Sequence, residues 1–193
     1  MYKSDRKFKD FDPESETSVD PRFAYFQTCK TENCLPRASL LIKDTENPVI
    51  DFTNKFLSTP QAAHSVAEAV RRYTFPVLAV IFVNNSLRPR EARVIMESFQ
   101  HHIGTLTTLN LSQNNLSLQG AEYLASVIPQ MRSIKQLYLN DCHLSDRGVR
   151  AVVTKLEEST ALDILDLSAN QIGQSSYFKN SAEALCSYLQ KAT

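Results

Sequence analysis

The chain's 193 residues give room for one ordinary domain or a short array of repeats, and its 21 Lys and Arg balance 21 Asp and Glu. That neutrality argues against a dedicated nucleic-acid or membrane-surface binder. A hydrophobic content of 42%, four Gly and no Trp suit a thin, elongated body better than a large spherical core.

In chain order, residues 1–19 are polar and charged and are expected to be disordered or extended; their start lacks the apolar centre of a secretory signal. Asp20-Pro21 reads as a helix start, with Asp as N-cap and Pro in the first turn, and Phe23, Phe26 and Cys29 are expected on its buried face. A second helix is expected after Pro36, using Ala38, Leu41 and Ile42. Together residues 20–46 are read as a helical N-terminal cap over a repeat array.

Self-similarity begins at residue 47. Leu106-Thr-Thr-Leu109-Asn-Leu111-Ser-Gln-Asn114-Asn-Leu116 and Leu162-Asp-Ile-Leu165-Asp-Leu167-Ser-Ala-Asn170-Gln-Ile172 share the pattern L-x-x-L-x-L-x-x-N-x-L. Ile134-Lys-Gln-Leu137-Tyr-Leu139-Asn-Asp-Cys142-His-Leu144 is its cysteine variant, and Val77 to Leu87 fits with conservative changes. A degenerate first copy keeps Ile50, Phe52 and Leu57 but has Asn47 and Lys55 in the first and ninth columns. First columns at 47, 77, 106, 134 and 162 divide residues 47–193 into five units, 47–76, 77–105, 106–133, 134–161 and 162–193. Each unit then repeats a helical stripe, such as Ala92, Ile95, Met96 and Phe99, or Val149, Val152, Val153 and Leu156. In the fifth unit the stripe reappears as Ala182, Leu185, Cys186 and Leu189, displaced by five residues, which locates an insertion within 173–181. The chain stops where a sixth strand would begin. Either the last helix caps the array, a partner covers the edge, or the chain belongs to a longer protein, the reading preferred here.

These residues resemble the ribonuclease-inhibitor-like subfamily of leucine-rich repeats, over roughly 47 to 193. The resemblance implies an α/β solenoid, a horseshoe segment with parallel strands on the concave face and helices on the convex face. The fourth and sixth columns must then be apolar because they point inward from each strand. Asn85, Asn114 and Asn170 occupy the ninth column, where the chain turns inward and an amide can satisfy backbone groups that lack ladder partners. A buried thiol can take the same place, which accounts for Cys142 without redox chemistry. Gly120 and Gly148 share a column at the entry to a helix, where small size or a permissive backbone is sufficient reason for them.

The search for chemistry yields no catalytic residue, no metal site and no cofactor. Cys29 and Cys34 lack a second ligand pair, and His101-His102 lacks a matching carboxylate or thiolate. Cys142 and His143 are adjacent, but the repeat sends the first into the core and the second to the loop. Phosphate-binding, dinucleotide, nucleophile-elbow and zinc-protease motifs are absent. With no secretory signal and irregular cysteine spacing, reduced thiols and a cytoplasmic location are expected.

Two surfaces stand out. On the concave face the third, fifth and seventh columns supply Ala79, Ile81, Val83, Asn110, Tyr138, Asn140, Ile164 and Asp166 as candidate partner contacts. The second unit presents three apolar side chains in a row, which either contact a partner or are covered by the N-terminal segment. Tyr138 is the amphipathic anchor of this set. Arg71, Arg72, Arg88, Arg90 and Arg93 form the one local excess of charge, read as a solvated helix flank or as contacts to an acidic protein.

The sequence therefore reads as a non-catalytic protein-interaction scaffold, binding protein on its concave face or open C-terminal edge, with neither nucleic acid nor membrane as partner. The helical lead-in and degenerate first unit are similar to some centrosomal and axonemal leucine-rich-repeat proteins, which implies a cytoskeletal location in a cilium or centrosome. The alternative is GTPase regulation, because Ran-GTPase-activating proteins use this repeat subfamily. The small number of units and the lack of an acidic C-terminal tail weigh against it.

Overall fold

The computed structural model describes residues 20–159 and 162–191, so the disorder expected of residues 1–19 lies outside the described residues. Five short strands, β1 (Val49–Asp51), β2 (Ala79–Ile81), β3 (Thr108–Asn110), β4 (Gln136–Tyr138) and β5 (Ile164–Asp166), form one parallel sheet in sequence order. Each is followed by a helix: α2 (Pro60–Arg71), α3 (Pro89–Ser98), α4 (Ser117–Val127), α5 (Asp146–Ser159) and α6 (Phe178–Lys191). A further helix, α1 (Pro21–Thr31), precedes the sheet and packs on α2. The strand register joins like columns, pairing Ile50 with Val80, then Leu109, Leu137 and Leu165. The result is an α/β solenoid.

The core is a stack of repeated positions. Fourth- and sixth-column side chains from Ile50 and Phe52 through Leu137 and Leu139 are buried, with the Phe52 and Phe82 rings stacked at 5.3 Å. The helical stripes close the other side, and Val66, Ile95, Leu124 and Val152 are fully enclosed. Size explains Gly148, because a Cβ there would lie 3.2 Å from the Ala121 Cβ, where α5 approaches α4.

The turn after each strand is stabilised by a side-chain ladder. Asn114 Nδ2 donates to the carbonyls of Phe82 (2.7 Å), Leu111 (2.8 Å) and Ser112 (3.1 Å), while its Oδ1 accepts from the N–H groups of Asn85 (3.1 Å) and Leu87 (3.0 Å). Asn85 bonds in the same way to Phe52 O and Lys55 N, and Asn170 to Leu139 O, Cys142 N and Leu144 N. The Cys142 thiol donates to Leu111 O at 3.2 Å, the counterpart of the amide donation. A thiol is a poor acceptor, and the preceding turn differs accordingly. Leu116 N donates to the Cys142 carbonyl, and the left-handed residue found at Phe56, Ser86 and His143 occurs in that unit at Ser117 instead. The eighth column is left-handed in all five units, at Asn54, Asn84, Gln113, Asp141 and Ala169.

Two expectations about the ends need correction. Asp20 does cap α1, accepting from Arg22 N at 2.8 Å, but the buried face carries Tyr25, Thr28 and Cys29, whereas Phe23 and Phe26 are half-exposed. The expected second helix is a single 3₁₀ turn, Ala38–Leu40, followed by extended chain that buries Leu41 and Ile42. Its backbone is held from outside: the Tyr25 hydroxyl accepts from Arg37 N (2.7 Å) and donates to Arg37 O (3.2 Å). At the other end, the stripe of α6 is exposed at Cys186 and Leu189, while Ser181 and Tyr188 are buried. The five-residue displacement is compatible with this, since Ser181 takes the Gly148 column and bonds Asp146 of the preceding unit. The face turned away from α5 has no neighbouring helix among the described residues.

The insertion is anchored by one carboxylate. Asp146, enclosed at the start of α5, accepts from Gly173 N (2.9 Å), Ser175 N (3.1 Å), Ser175 Oγ (2.6 Å) and Ser181 Oγ (3.0 Å). The Gly173 N–H, followed by the Ser175 hydroxyl, holds its carboxyl below the usual range. A carboxyl depressed in the folded state contributes stability above its unfolded pKa, and that stability is lost as pH falls through the folded value. His102 is also buried, its Nε2 lying 3.0 Å from Tyr73 O, and burial pushes its pKa down.

Replacing Asn114 with Ala strands several buried backbone groups at about 1–3 kcal/mol each, whereas Cys142→Ala gives up one weak donation worth about 1 kcal/mol. Urea unfolding should show Asn114→Ala as clearly the more damaging change; equal losses would contradict the ladder. For the insertion, hydrogen exchange should find the Gly173 and Ser175 amides protected at neutral pH. Their protection should fall in acid before that of α5, and Asp146→Asn should remove it at neutral pH. Unchanged protection in that variant would show that Asp146 is not the anchor.

Candidate protein-binding surface

The sheet register determines which side chains share the concave face. Fifth-column residues run across it in one row, Asp51, Ile81, Asn110, Tyr138 and Asp166, alternating polar and apolar-bodied side chains. The polar members are committed locally. Asp51, Asn110 and Asp166 each accept from the N–H two residues on, in Thr53, Ser112 and Ser168, at 2.8–3.0 Å. Asp51 and Asp166 also accept from the hydroxyls of Thr53 and Ser168. Ile81 and Tyr138 stand between them and are half-buried, as close strand spacing requires.

The eight concave candidates share this sheet face or the turn immediately after it. Ala79, Ile81 and Val83 follow one another along β2 and its exit, all partly accessible; Asn110, Tyr138, Asn140 and Asp166 are likewise half-buried, and Ile164 is 39% exposed. Covering of the β2 strip by the N-terminal segment falls on residues outside those described. The row thus sets two amphipathic or apolar bodies among polar groups oriented by one bonded oxygen each.

The five arginines are not gathered into one patch. Arg71 and Arg72 lie at the C-terminal end of α2, while Arg88 stands in the N-cap position of the parallel neighbour α3 without a side-chain capping bond and Arg90 lies in its first turn. Arg71 pairs with Glu68 on its own helix. Arg93 pairs with Glu97 at 2.8 Å and lies over the Tyr123 ring at 5.2 Å. Same-helix pairing partly neutralises the positive excess that was visible in sequence.

Cys29 and Cys34 lie together at the end of α1, whereas Cys142 and His143 diverge. Cys142 is buried, and burial pushes its thiol up to about 12, while His143 is exposed on the loop in a left-handed conformation. Cys29 is buried against Tyr25 and Ser65, and burial raises its thiol. Among the described residues no three His, Cys, Asp or Glu side chains are arranged to hold a metal ion, and no helix is long and apolar enough to cross a membrane. Sequence reasoning overlooked Asp146 and the side of the molecule it organises, where Tyr177 from the insertion lies beside Arg147. The break in repeat spacing was the signal that could have located it.

Comparison with known proteins places the repeat. A family model described as leucine-rich repeat matches residues 104–125 and 130–153. The chain is 31% identical over 116 residues, 60% of its length, to NACHT, LRR and PYD domains-containing protein 4E of Mus musculus, and the match spans 12% of that protein. A solved structure of leiomodin-1 actin-binding site 2 shares the fold, with a TM-score of 0.56 and 16% identity, covering 81% of this chain and 92% of that one. These matches identify the repeat without distinguishing its subfamilies. With the five-strand parallel sheet and its alternating helices, they establish that the chain is a leucine-rich-repeat protein, of a fold that generally mediates protein–protein interaction.

Proposed function

We propose that this chain is a non-catalytic scaffold that holds a protein partner on its concave face, with Ile81 and Tyr138 as the anchors. The observation that supports this most directly is the fifth-column row. Each of its polar members has one oxygen bonded at its own strand exit, which fixes how that side chain is presented around the two anchors. The two remaining members offer apolar area, and Tyr138 adds a hydroxyl at the edge of that area. Interfaces draw most of their affinity from a few such anchors surrounded by near-neutral contacts.

A cytoskeletal partner is the first to test. The structural neighbour is an actin-binding site of leiomodin-1, and the helical lead-in with its degenerate first unit resembles those of some centrosomal and axonemal leucine-rich-repeat proteins. We place the chain at a cilium, centrosome or other actin- or tubulin-based assembly.

Crosslinking mass spectrometry on the tagged protein in cells should recover a partner whose crosslinks bracket the concave face. Tyr138→Ala should weaken that partner by about 2 kcal/mol, close to thirty-fold, and Ile81→Asp by at least as much, with thermal unfolding unchanged. Crosslinks that persist and map to the Arg88 and Arg90 end of α3 would refute the concave site. Endogenous labelling without enrichment on actin, centrioles or axonemes would refute the placement.

A further inference from the structure

The insertion in the fifth unit lies on the helical side of the array, away from the concave row, and it builds a surface that a regular repeat lacks. Asp146 fixes its start through Gly173 and Ser175 and its end through Ser181. Between these anchors Tyr177 projects, 48% exposed, and the Arg147 guanidinium lies 5.5 Å from its ring centroid. The ring forms one wall of a groove of about 640 Å³ between α4 and α5. That volume falls within the range of about 300–1,000 Å³ typical of ligand clefts.

The chemistry of the groove is lopsided. Leu118, Ala125 and Ala151 give it apolar surface, and the small alanines leave space where two packed helices would ordinarily fill it. Arg147 and Arg150 are both exposed on α5, one turn apart, and the single acidic lining residue is Glu122. Stacking on Tyr177 orients the Arg147 guanidinium while leaving its N–H edge able to pair with a carboxylate. An occupant that complements these features carries negative charge on either side of an apolar side chain.

We propose that this convex-face groove docks an acidic peptide segment of a protein partner, whose apolar side chain sits on Leu118, Ala125 and Ala151 beside Tyr177 and whose carboxylates pair with Arg147 and Arg150. The inference is independent of the concave site, which lies on the sheet. The insertion acts as the positioning element, because the anchor at Asp146 sets where Tyr177 stands.

The test is an NMR titration of the folded chain with three synthetic peptides. The first has a leucine flanked on each side by two glutamates, the second replaces that leucine with serine, and the third replaces the glutamates with lysines. The first peptide should shift the amides of Ala125, Ala151, Thr154 and Tyr177. Arg147→Glu combined with Arg150→Glu should weaken it about tenfold or more. Tyr177→Ala should weaken the leucine peptide severalfold and the serine peptide by a smaller factor. Ile81→Asp, on the concave face, should have no effect, so failure of either surface is seen separately. Circular dichroism confirms that each variant is folded. The proposal is overturned by an absence of shifts with the glutamate–leucine peptide, by equal binding of the lysine peptide, or by binding that survives the double charge reversal.

Discussion

Everything in this solenoid depends on how a backbone that turns inward after every third strand residue keeps its polar groups satisfied. The sheet cannot do this, because the turn leaves the ladder. Instead, a ninth-column side chain in each unit from the second onward reaches back to the sixth-column carbonyl of the unit before it. Where that side chain is Asn, its oxygen also accepts backbone N–H groups of the preceding turn. Buried amides would be costly if any of these bonds were missing; with all of them made, they lock one unit to the next. The left-handed eighth column brings the ninth side chain into this position, and four of its five residues are Asn, Gln or Asp, leaving Ala169 as the β-carbon that bears the conformation without polar compensation.

Once the turns are interlocked, the strand rows and helix stripes follow. Like columns lie beside like columns, so apolar fourth and sixth positions stack into a continuous core while fifth positions form an accessible row. The proposed binding surface thus shares the register that builds the core. Identical columns recur, and the departures from them are Ile81 and Tyr138 in a row otherwise polar, and one insertion that breaks the spacing on the opposite face.

Periodicity made most of this legible in sequence. The ninth-column asparagines, the inward leucines and the helical stripes all announce themselves by spacing, and Cys142 could be assigned to the core because its column demanded it. Misreadings arose where a distant contact outweighed a local pattern. Pro36 followed by Ala38, Leu41 and Ile42 has the look of a helix, yet the Tyr25 hydroxyl takes both backbone groups of Arg37, and no local pattern reveals a bond across twelve residues. The arginine excess looked like a patch because it is dense in sequence, but a helix end and the start of the next parallel helix lie at opposite ends of that helix pair. Asp146 escaped notice because its role depends on an insertion whose path the repeat does not specify. The concave row could be read as a row; the bonds that orient its polar members required coordinates.

The ladder also has a direction. Most bonds of each asparagine go to the unit before it, and in the first unit the N–H of Lys55, which holds the ninth column, is covered by Asn85. Peeling the array from its beginning would free side-chain amides, which water solvates readily. Peeling it from its end would strip Asn170 away and leave the Cys142 and Leu144 N–H groups uncovered in the adjoining turn. Side-chain cover in the ladder therefore runs chiefly from later units to the N–H groups of earlier turns, while backbone bonds such as Asn115 N to Leu87 O and Gln171 N to Leu144 O tie the later turns back.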